Sequence, residues 1–424
     1  MRMKRRKRLP KGSLLAALDV GSSKIACFIG RVVDDEGGLE VVGVGHQSSS
    51  GIKAGTIVDM DVVESDIRKT VHAAENMAAS VMKGYPLRDI IINIPSIHCQ
   101  TKFESIDVHV SGQEVTQNDI RRAVVMAQDL NNDEEAELVH TIPVGYTLDG
   151  KVGISDPNGL YGKQLGVDVT TVAVKSMPLR NMITAVERSH LEIAAACAGS
   201  YASGLACLVE DEMTLGSTVI DIGGGTTSIA VFHGGNLIYS GAIPVGGAHI
   251  TNDVARGLNT PLIDAERIKT LHGSAMVSSM DDSEVIEVPV LGEAPGTTNQ
   301  IPRSMLIGII QPRLEEIFEM VRAKLDESKL LNYLGRNIVL TGGTSELPGI
   351  RELAQRYLDK QARLGRPHAL KGVPDMTRGP GFSTVSGLLF YIRDRYDEQP
   401  HQVLAQTEAT NLYERIKLWF KENW

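Results

Sequence analysis

The chain has 424 residues, 42% of them apolar and 22% charged, which is the balance of a water-soluble globular protein and too much chain for one ordinary core. A net charge of −9 excludes a surface that is basic throughout, so nucleic acid is not an expected partner. No apolar run approaches the roughly 18 residues of a spanning helix, which excludes a transmembrane segment.

Residues 1–12 form a basic arm with Arg2, Lys4, Arg5, Arg6, Lys7, Arg8 and Lys11. The start is like that of a signal peptide, but the apolar stretch Leu14–Leu18 stops at Asp19 and is too short for secretion. The arm is either a lipid contact or a solvated tail. Cys27, Cys99, Cys197 and Cys207 make no C-x-x-C pair and sit among apolar residues. Four reduced thiols and a cytoplasmic location are expected.

The first pattern with chemical content is Leu14–Lys24, L-L-A-A-L-D-V-G-S-S-K. An apolar run ends in Asp, one apolar residue and Gly, then hydroxylated residues, and a second apolar run, Ile25–Ile29, follows. This predicts strand, tight turn, strand. Gly21 lets the backbone approach a ligand, and successive N–H groups in such a turn make a nest for anionic oxygens. Ser22 and Ser23 add hydroxyls, and Lys24 adds a cation for outer phosphates. Asp19 would repel phosphate. Its expected task is to hold Mg²⁺, mostly through the ion's waters.

Next come Gly51-Ile52-Lys53-Ala54-Gly55, a predicted helix over about 62–83, and strands at Ile90–Ile94 and Ile106–Val110. Thr116 is placed to cap a helix. Val139–Tyr146 reads as a strand and Asp156–Gly162 as a turn-rich loop. Residues 85–171 are expected to form an inserted α+β unit.

The second half opens as the first does. Ser217–Thr227 reads S-T-V-I-D-I-G-G-G-T-T, with Asp221 in the place of Asp19, Gly223, Gly224 and Gly225 in the turn, and Thr226 and Thr227 as hydroxyl donors. Ser228–Phe232 is the returning strand. One D-x-G pattern is more often an ordinary hairpin. Two can clasp a nucleoside triphosphate from both sides, with Mg²⁺ near both Asp residues. Gly246 and Gly247 precede a predicted helix carrying Glu266 and Lys269, which share a face and can reach ribose hydroxyls or a base edge. In a further helix, Leu314, Ile317, Val321 and Leu325 make a stripe for burial, while Arg313, Glu316 and Lys324 point away from it. Residues 276–302 combine Asp281, Asp282 and Glu284 with a Gly/Pro/Thr-rich loop. Ile338–Thr344, I-V-L-T-G-G-T, places Gly342, Gly343 and Thr344 between a strand and a helical stretch over about 347–357, where backbone can approach a flat ring.

Asp397–Thr410 reads as a flexible linker. In Asn411–Trp424, helical spacing gathers Leu412, Tyr413, Ile416, Trp419, Phe420 and Trp424 on one face, with Arg415, Lys417 and Lys421 beside it and Leu418 as the misfit. The chain's two Trp both lie here. Aromatic side chains with basic flanks suit a helix lying in the surface of an anionic membrane.

The order of hairpin, hairpin, E-x-x-K and T-G-G resembles the actin-like ATPase superfamily. That resemblance implies an α/β, two-lobed fold of duplicated ribonuclease-H-like domains closing on Mg-ATP. The G-I-K-A-G segment, the insert and the run Glu210–Thr227 resemble the FtsA family of bacterial cell-division actin homologues from about Ser13 to Tyr396. This second resemblance implies division into subdomain 1A (13–84, 172–201 and 379–396), inserted subdomain 1C (85–171), 2A (202–256 and 328–378) and 2B (257–327), then the linker and a C-terminal membrane-targeting amphipathic helix. It also implies ATP and Mg²⁺ as cofactors and self-assembly into actin-like filaments, with subdomain 1C meeting the next subunit. The FtsZ C-terminal tail is the implied partner, with Arg313 and Arg303 as candidate anchors, and later division proteins are implied too. The protein would sit peripherally on the cytoplasmic face of the inner membrane at the septum. The stretch Ala194–Cys207 has no Asp, Glu, Asn or Gln to orient a water, so weak ATPase activity is expected. The rivals are a small-molecule kinase and a chaperone ATPase of the same superfamily, and another actin-like membrane adaptor such as the pilus protein PilM.

Overall fold

The computed structural model describes residues 9–395 except 35, 132, 134, 295, 329, 331 and 332. Most of the basic arm, the linker and the expected tail helix lie outside the described residues.

Leu14–Val20 and Lys24–Val32 pair antiparallel, with Asp19 opposite Ala26 and Val20 opposite Ile25. Leu39–Ser48 continues the meander on one side, and Asp89–Ile94 and Glu192–Ala198 add parallel strands on the other. The central strands are near-continuous apolar runs because both faces of the sheet are covered. Helix Met60–Met82 covers one face. It is capped by Asp59, whose carboxylate accepts from the Val62 N–H at 3.1 Å.

The second lobe repeats this plan. Ser217–Ile222 and Thr227–His233 form the hairpin, Asn236–Ile243 continues the meander, and Asn337–Thr341 and Gln361–Leu364 add the parallel pair. Asp221 lies opposite Ser228, one pair before the turn, in the register Asp19 has in the first lobe. The two sheets thus share strand order and direction, which the duplicated motif implies.

Between the sheets lie two helices, Gly199–Cys207 and Ser383–Asp394, in one core that draws Ala17 and Phe28 from the first sheet and Val219, Phe232 and Val339 from the second. Their backbones approach closely enough that a Cβ on Gly387 would overlap the Ala202 carbonyl.

The insert has a four-stranded sheet in the order Cys99–His109, Gln164–Lys175, Ala136–Leu148, Lys151–Ile154, a helix Gln117–Leu130 and its own core around Ile106, Ala123, Leu165 and Val167. Its start moves from the expected residue 85 to about 96, because Asp89–Ile94 pairs with Leu14–Val20 and belongs to the first lobe. Thr116 is the N-cap residue, but the carboxylate doing the capping is that of Asp119, which accepts from the Thr116 N–H at 2.9 Å and hydroxyl at 2.6 Å. The insert rests on both lobes. The Thr101 hydroxyl donates to Ser240 O at 2.7 Å on the second-lobe edge strand. His140 Nε2 accepts from the Ala198 N–H at 3.0 Å, and its Nδ1 lies 3.2 Å from the Tyr391 hydroxyl.

Candidate functional site

Each hairpin turn is closed by one backbone hydrogen bond. Gly21 N–H donates to Lys24 O at 3.0 Å, and Gly223 N–H donates to Thr226 O at 3.0 Å. The turns face each other across the junction of the lobes. A Cβ on Gly224 would lie 2.6 Å from Ser23 Cβ, and one on Gly225 would lie 2.6 Å from Ser22 Oγ. No other residue fits there without moving the opposing serines. The Ser22 hydroxyl also accepts from the Gly55 N–H at 3.0 Å, which draws the G-I-K-A-G loop over the first turn.

The turns open into a cavity of about 470 Å³, within the range of small-molecule sites. Its walls include Asp19, Gly21, Ser22, Ser23, Lys24, Asp221, Gly223, Gly224, Gly225, Thr226, Gly247, Glu266, Lys269, Gly342, Gly343 and Thr344. All sixteen are expected from the sequence. Two expected residues do not line it. Thr227 is fully buried and its hydroxyl donates to Val245 O at 2.8 Å. Gly246 serves the second hairpin, where a Cβ would meet Gly223 O at 2.6 Å.

Asp19 is buried and Asp221 half-buried, and the two carboxylates differ in partners. Burial pushes the Asp19 carboxyl up to about 7, Lys24 opposes that shift, and Asp221 adds to it. Burial also raises Asp221, against hydrogen bonds from Ser203 and Thr384. Burial lowers Lys24, against the charges of Asp19, Asp221 and Glu346. The Lys24 ammonium donates to Gly381 O and lies 3.3 Å from the centroid of the Phe382 ring.

Glu266 and Lys269 do share a face of helix Leu262–His272, but they are first of all partners. Lys269 Nζ donates to Glu266 at 2.6 Å, to the Thr251 hydroxyl at 2.8 Å and to Gly247 O at 3.2 Å. All three ammonium protons are used, so Lys269 joins the two helices that flank the cleft. The half-exposed Glu266 carboxylate is the member of the pair left to meet a ligand. Gly342 has φ +86°, and a Cβ there would overlap Asp221 Oδ1. The helix after the T-G-G segment begins at Ile350, later than expected, because Gly343–Glu346 is a 3-10 turn.

The cleft also contains residues not expected from the sequence: Asn93, Gly199, Ser228, Glu346, Gly381 and Thr384. Asn93 Oδ1 accepts from the Val20 N–H at 2.7 Å and so holds the end of the first hairpin strand. An asparagine closing the apolar run I-I-I-N-I-P was a usable signal, since polar residues at strand ends face such clefts. The others carried no local signal.

Arg313 and Arg303 do not line this cleft. Leu314, Ile317, Val321 and Leu325 are buried on helix Arg303–Glu327, as the stripe predicts. Arg313 is not left free by that helix. Its guanidinium donates to both oxygens of Asp253 at 2.6 and 3.1 Å, and to Glu316. Arg303 donates to Asp281 at 2.8 Å, Glu284 at 3.2 Å and His272 O at 2.8 Å, so the acidic patch is partly internal.

Two sheets of one topology, closed on a glycine-lined cleft with an Asp at the end of each leading strand, define the actin-like class of α/β fold. Solved structures agree on the fold. The PilM–PilN type IV pilus biogenesis complex matches with TM-score 0.60 and 16% identity, covering 89% of this chain and 97% of that one. MreB5 of Spiroplasma citri bound to ADP matches with TM-score 0.54 and 13% identity, covering 92% and 99%. The model of the cell division protein FtsA family matches residues 218–387, and that of the SHS2 domain inserted in FtsA matches 97–173. The chain is 39% identical to the cell division protein FtsA of Agrobacterium fabrum over 90% of its own length and 87% of the relative. The figures are 38%, 97% and 95% for that of Rhizobium meliloti, and 32%, 96% and 98% for that of Escherichia coli. The chain belongs to the FtsA family of cell division proteins.

Proposed function

We propose that this protein binds ATP with Mg²⁺ between its lobes, self-assembles, and tethers FtsZ filaments to the cytoplasmic membrane at the division septum through its C-terminal amphipathic helix. The observation that carries the nucleotide part is the opposition of two like hairpins, each with its Asp, across one cleft. Their backbone N–H groups would hold the phosphates, with Lys24 beside them. Glu266 and the Gly342–Gly343 turn would receive the nucleoside. Among the described residues no group of three or more His, Cys, Asp or Glu is arranged to hold a metal ion. Asp19 and Asp221 together with phosphate oxygens and water suit Mg²⁺, which keeps much of its hydration. The ion would screen the phosphates from the two carboxylates.

The tether has two ends. No helix among the described residues is long and apolar enough to cross a membrane. Lipid attachment is assigned to residues 411–424 on the strength of their amphipathic pattern. The FtsZ tail is assigned to the face carrying Arg313, where an acidic peptide must exchange with Asp253 for the guanidinium. We assign subdomains 1A, 1C, 2A and 2B by the expected division, with 1C begun at about 96 because Asp89–Ile94 pairs with Leu14–Val20, and we assign 1C to the neighbouring subunit in a filament. ATP turnover is assigned a slow rate, because Ala194–Cys207 brings only Gly199 to the cleft wall.

The test is co-sedimentation with anionic liposomes and FtsZ, comparing the full chain with one ending at Thr410. The full chain should carry FtsZ into the liposome pellet, and the shorter one should leave both in solution. Lipid binding by both chains would remove the tail from the role. Lipid binding without FtsZ would leave an actin-like membrane adaptor for another partner.

A further inference from the structure

Asp221 ends a strand of the second sheet, yet its side chain is held by the two helices between the lobes. Its Oδ2 accepts from the Ser203 hydroxyl at 2.5 Å and from the Thr384 hydroxyl at 3.3 Å, and these hydroxyls lie 3.0 Å apart. Ser203 is fully buried, and Thr384 stands in the cleft wall. Asp19 receives no such side-chain donor among the described residues. One carboxylate is therefore held by hydroxyls, while the other has the Lys24 ammonium as its charge partner.

The segment that supplies Thr384 has two further ties to the same cleft. Gly342 N–H donates to Pro380 O at 3.2 Å. Lys24 donates to Gly381 O and lies against Phe382. Residues 380–384 are the turn and first residues of helix Ser383–Asp394. Asp221 and the Gly342 turn of the second lobe and the lysine of the first thus bond to the start of one helix. That helix is the last described element before residues 396–424.

We infer that Ser203 and Thr384 are positioning residues for Asp221, and that with Lys24 they couple the occupancy of the cleft to helix Ser383–Asp394. The inference rests on the proposed binding of Mg-ATP. With Mg-ATP bound, Lys24 would be shared between phosphate and Gly381 O, and Asp221 between the ion's waters and Thr384, so both contacts to the start of the helix would change. The Ser203 hydroxyl, 2.5 Å from the carboxylate, makes one of the stronger kinds of hydrogen bond, and Thr384 supports both partners, so loss of either hydroxyl is readable. Each hydroxyl has one proton, so with Ser203 donating to Asp221 the Thr384 proton is shared between Asp221 and Ser203, and the three groups form one small network.

The test uses the full-length protein and two measurements. Fluorescent ATP-analogue binding is titrated with Mg²⁺, and hydrogen exchange of the 380–394 peptide is compared with and without Mg-ATP. The wild type should bind in a Mg²⁺-dependent way and change exchange in that peptide. Thr384→Val should raise the Mg²⁺ needed by roughly tenfold and lose most of the exchange change. Thr384→Ser, which keeps the hydroxyl, should restore both. Should T384V fail to fold, Ser203→Ala is read by the same two criteria. A folded T384V or S203A with wild-type Mg²⁺ dependence and exchange overturns the inference and leaves nucleotide binding standing. Failure of the wild type to bind the analogue overturns both.

Discussion

Replacing Asp19 with Asn should stabilise the ligand-free protein while removing its response to Mg²⁺. The carboxyl is buried and pushed from 3.8 up to about 7, chiefly by loss of water. Between these pH values the folded state binds the extra proton, so stability falls as pH rises, and above about 7 the whole cost is carried. At about 1.36 kcal/mol per pH unit the gap corresponds to about 4 kcal/mol. Asn removes the charge but also the attraction to Lys24, which returns part of the cost. The expected net gain is about 1–3 kcal/mol at pH 8 in EDTA without nucleotide. For a chain of this size that is a rise of a few degrees in melting temperature. Differential scanning fluorimetry at pH 8 and pH 5.5 measures it, and the gain should shrink at the lower pH. With Mg-ATP the order should reverse, because ligand stabilises only the state that binds it. A ligand-free Asp19→Asn protein no more stable than wild type at pH 8, with an unchanged Mg-ATP response, would refute the account of Asp19 as a charge held at a cost for an ion.

Two further predictions address the frame around the cleft. His140 is fully buried between Ala198 and Tyr391, and burial lowers it from 6.5 to about 3. The unfolded chain therefore binds the proton first, and stability should fall as pH drops below 6.5, by about 2 kcal/mol at pH 5. His140→Phe should flatten that part of the urea-denaturation pH profile; an unchanged slope would show that other groups set it. Gly342→Ala puts a Cβ against Asp221 Oδ1 at a φ of +86°. A cost of about 2–4 kcal/mol and loss of analogue binding are expected, and a variant melting and binding as wild type does would contradict the geometry of that turn.

How far the site could be read in advance depended on where its bonding partners lie in the chain. The hairpins were legible because everything that makes them is local. Asp, Gly and the hydroxylated residues sit within one turn, and the flanking strands announce themselves by apolar runs. Helix Met60–Met82 and the stripe on Arg303–Glu327 were legible for the same reason, since period and cap are local. Thr227 was misassigned because its hydroxyl is taken by Val245, eighteen residues on, and sequence spacing does not reveal which of two adjacent threonines turns outward. The Arg313 pairing with Asp253 was not legible, because the two lie sixty positions apart. The insert's boundary slipped because an all-apolar strand such as Asp89–Ile94 suits either sheet, and pairing with Leu14–Val20 decides the matter.

The sequence by itself determined that there are two like Asp-x-Gly hairpins, one in each half, and that residues 411–424 have an amphipathic helical pattern, because these depend on backbone turn chemistry and side-chain period alone. The tertiary structure alone decided that the hairpins face each other, that Ser203 and Thr384 reach Asp221, that Lys269 is spent on joining two helices, and that the insert rests on both lobes. Each of these depends on which surfaces are brought together when two sheets enclose a shared pair of helices, and no local pattern encodes that.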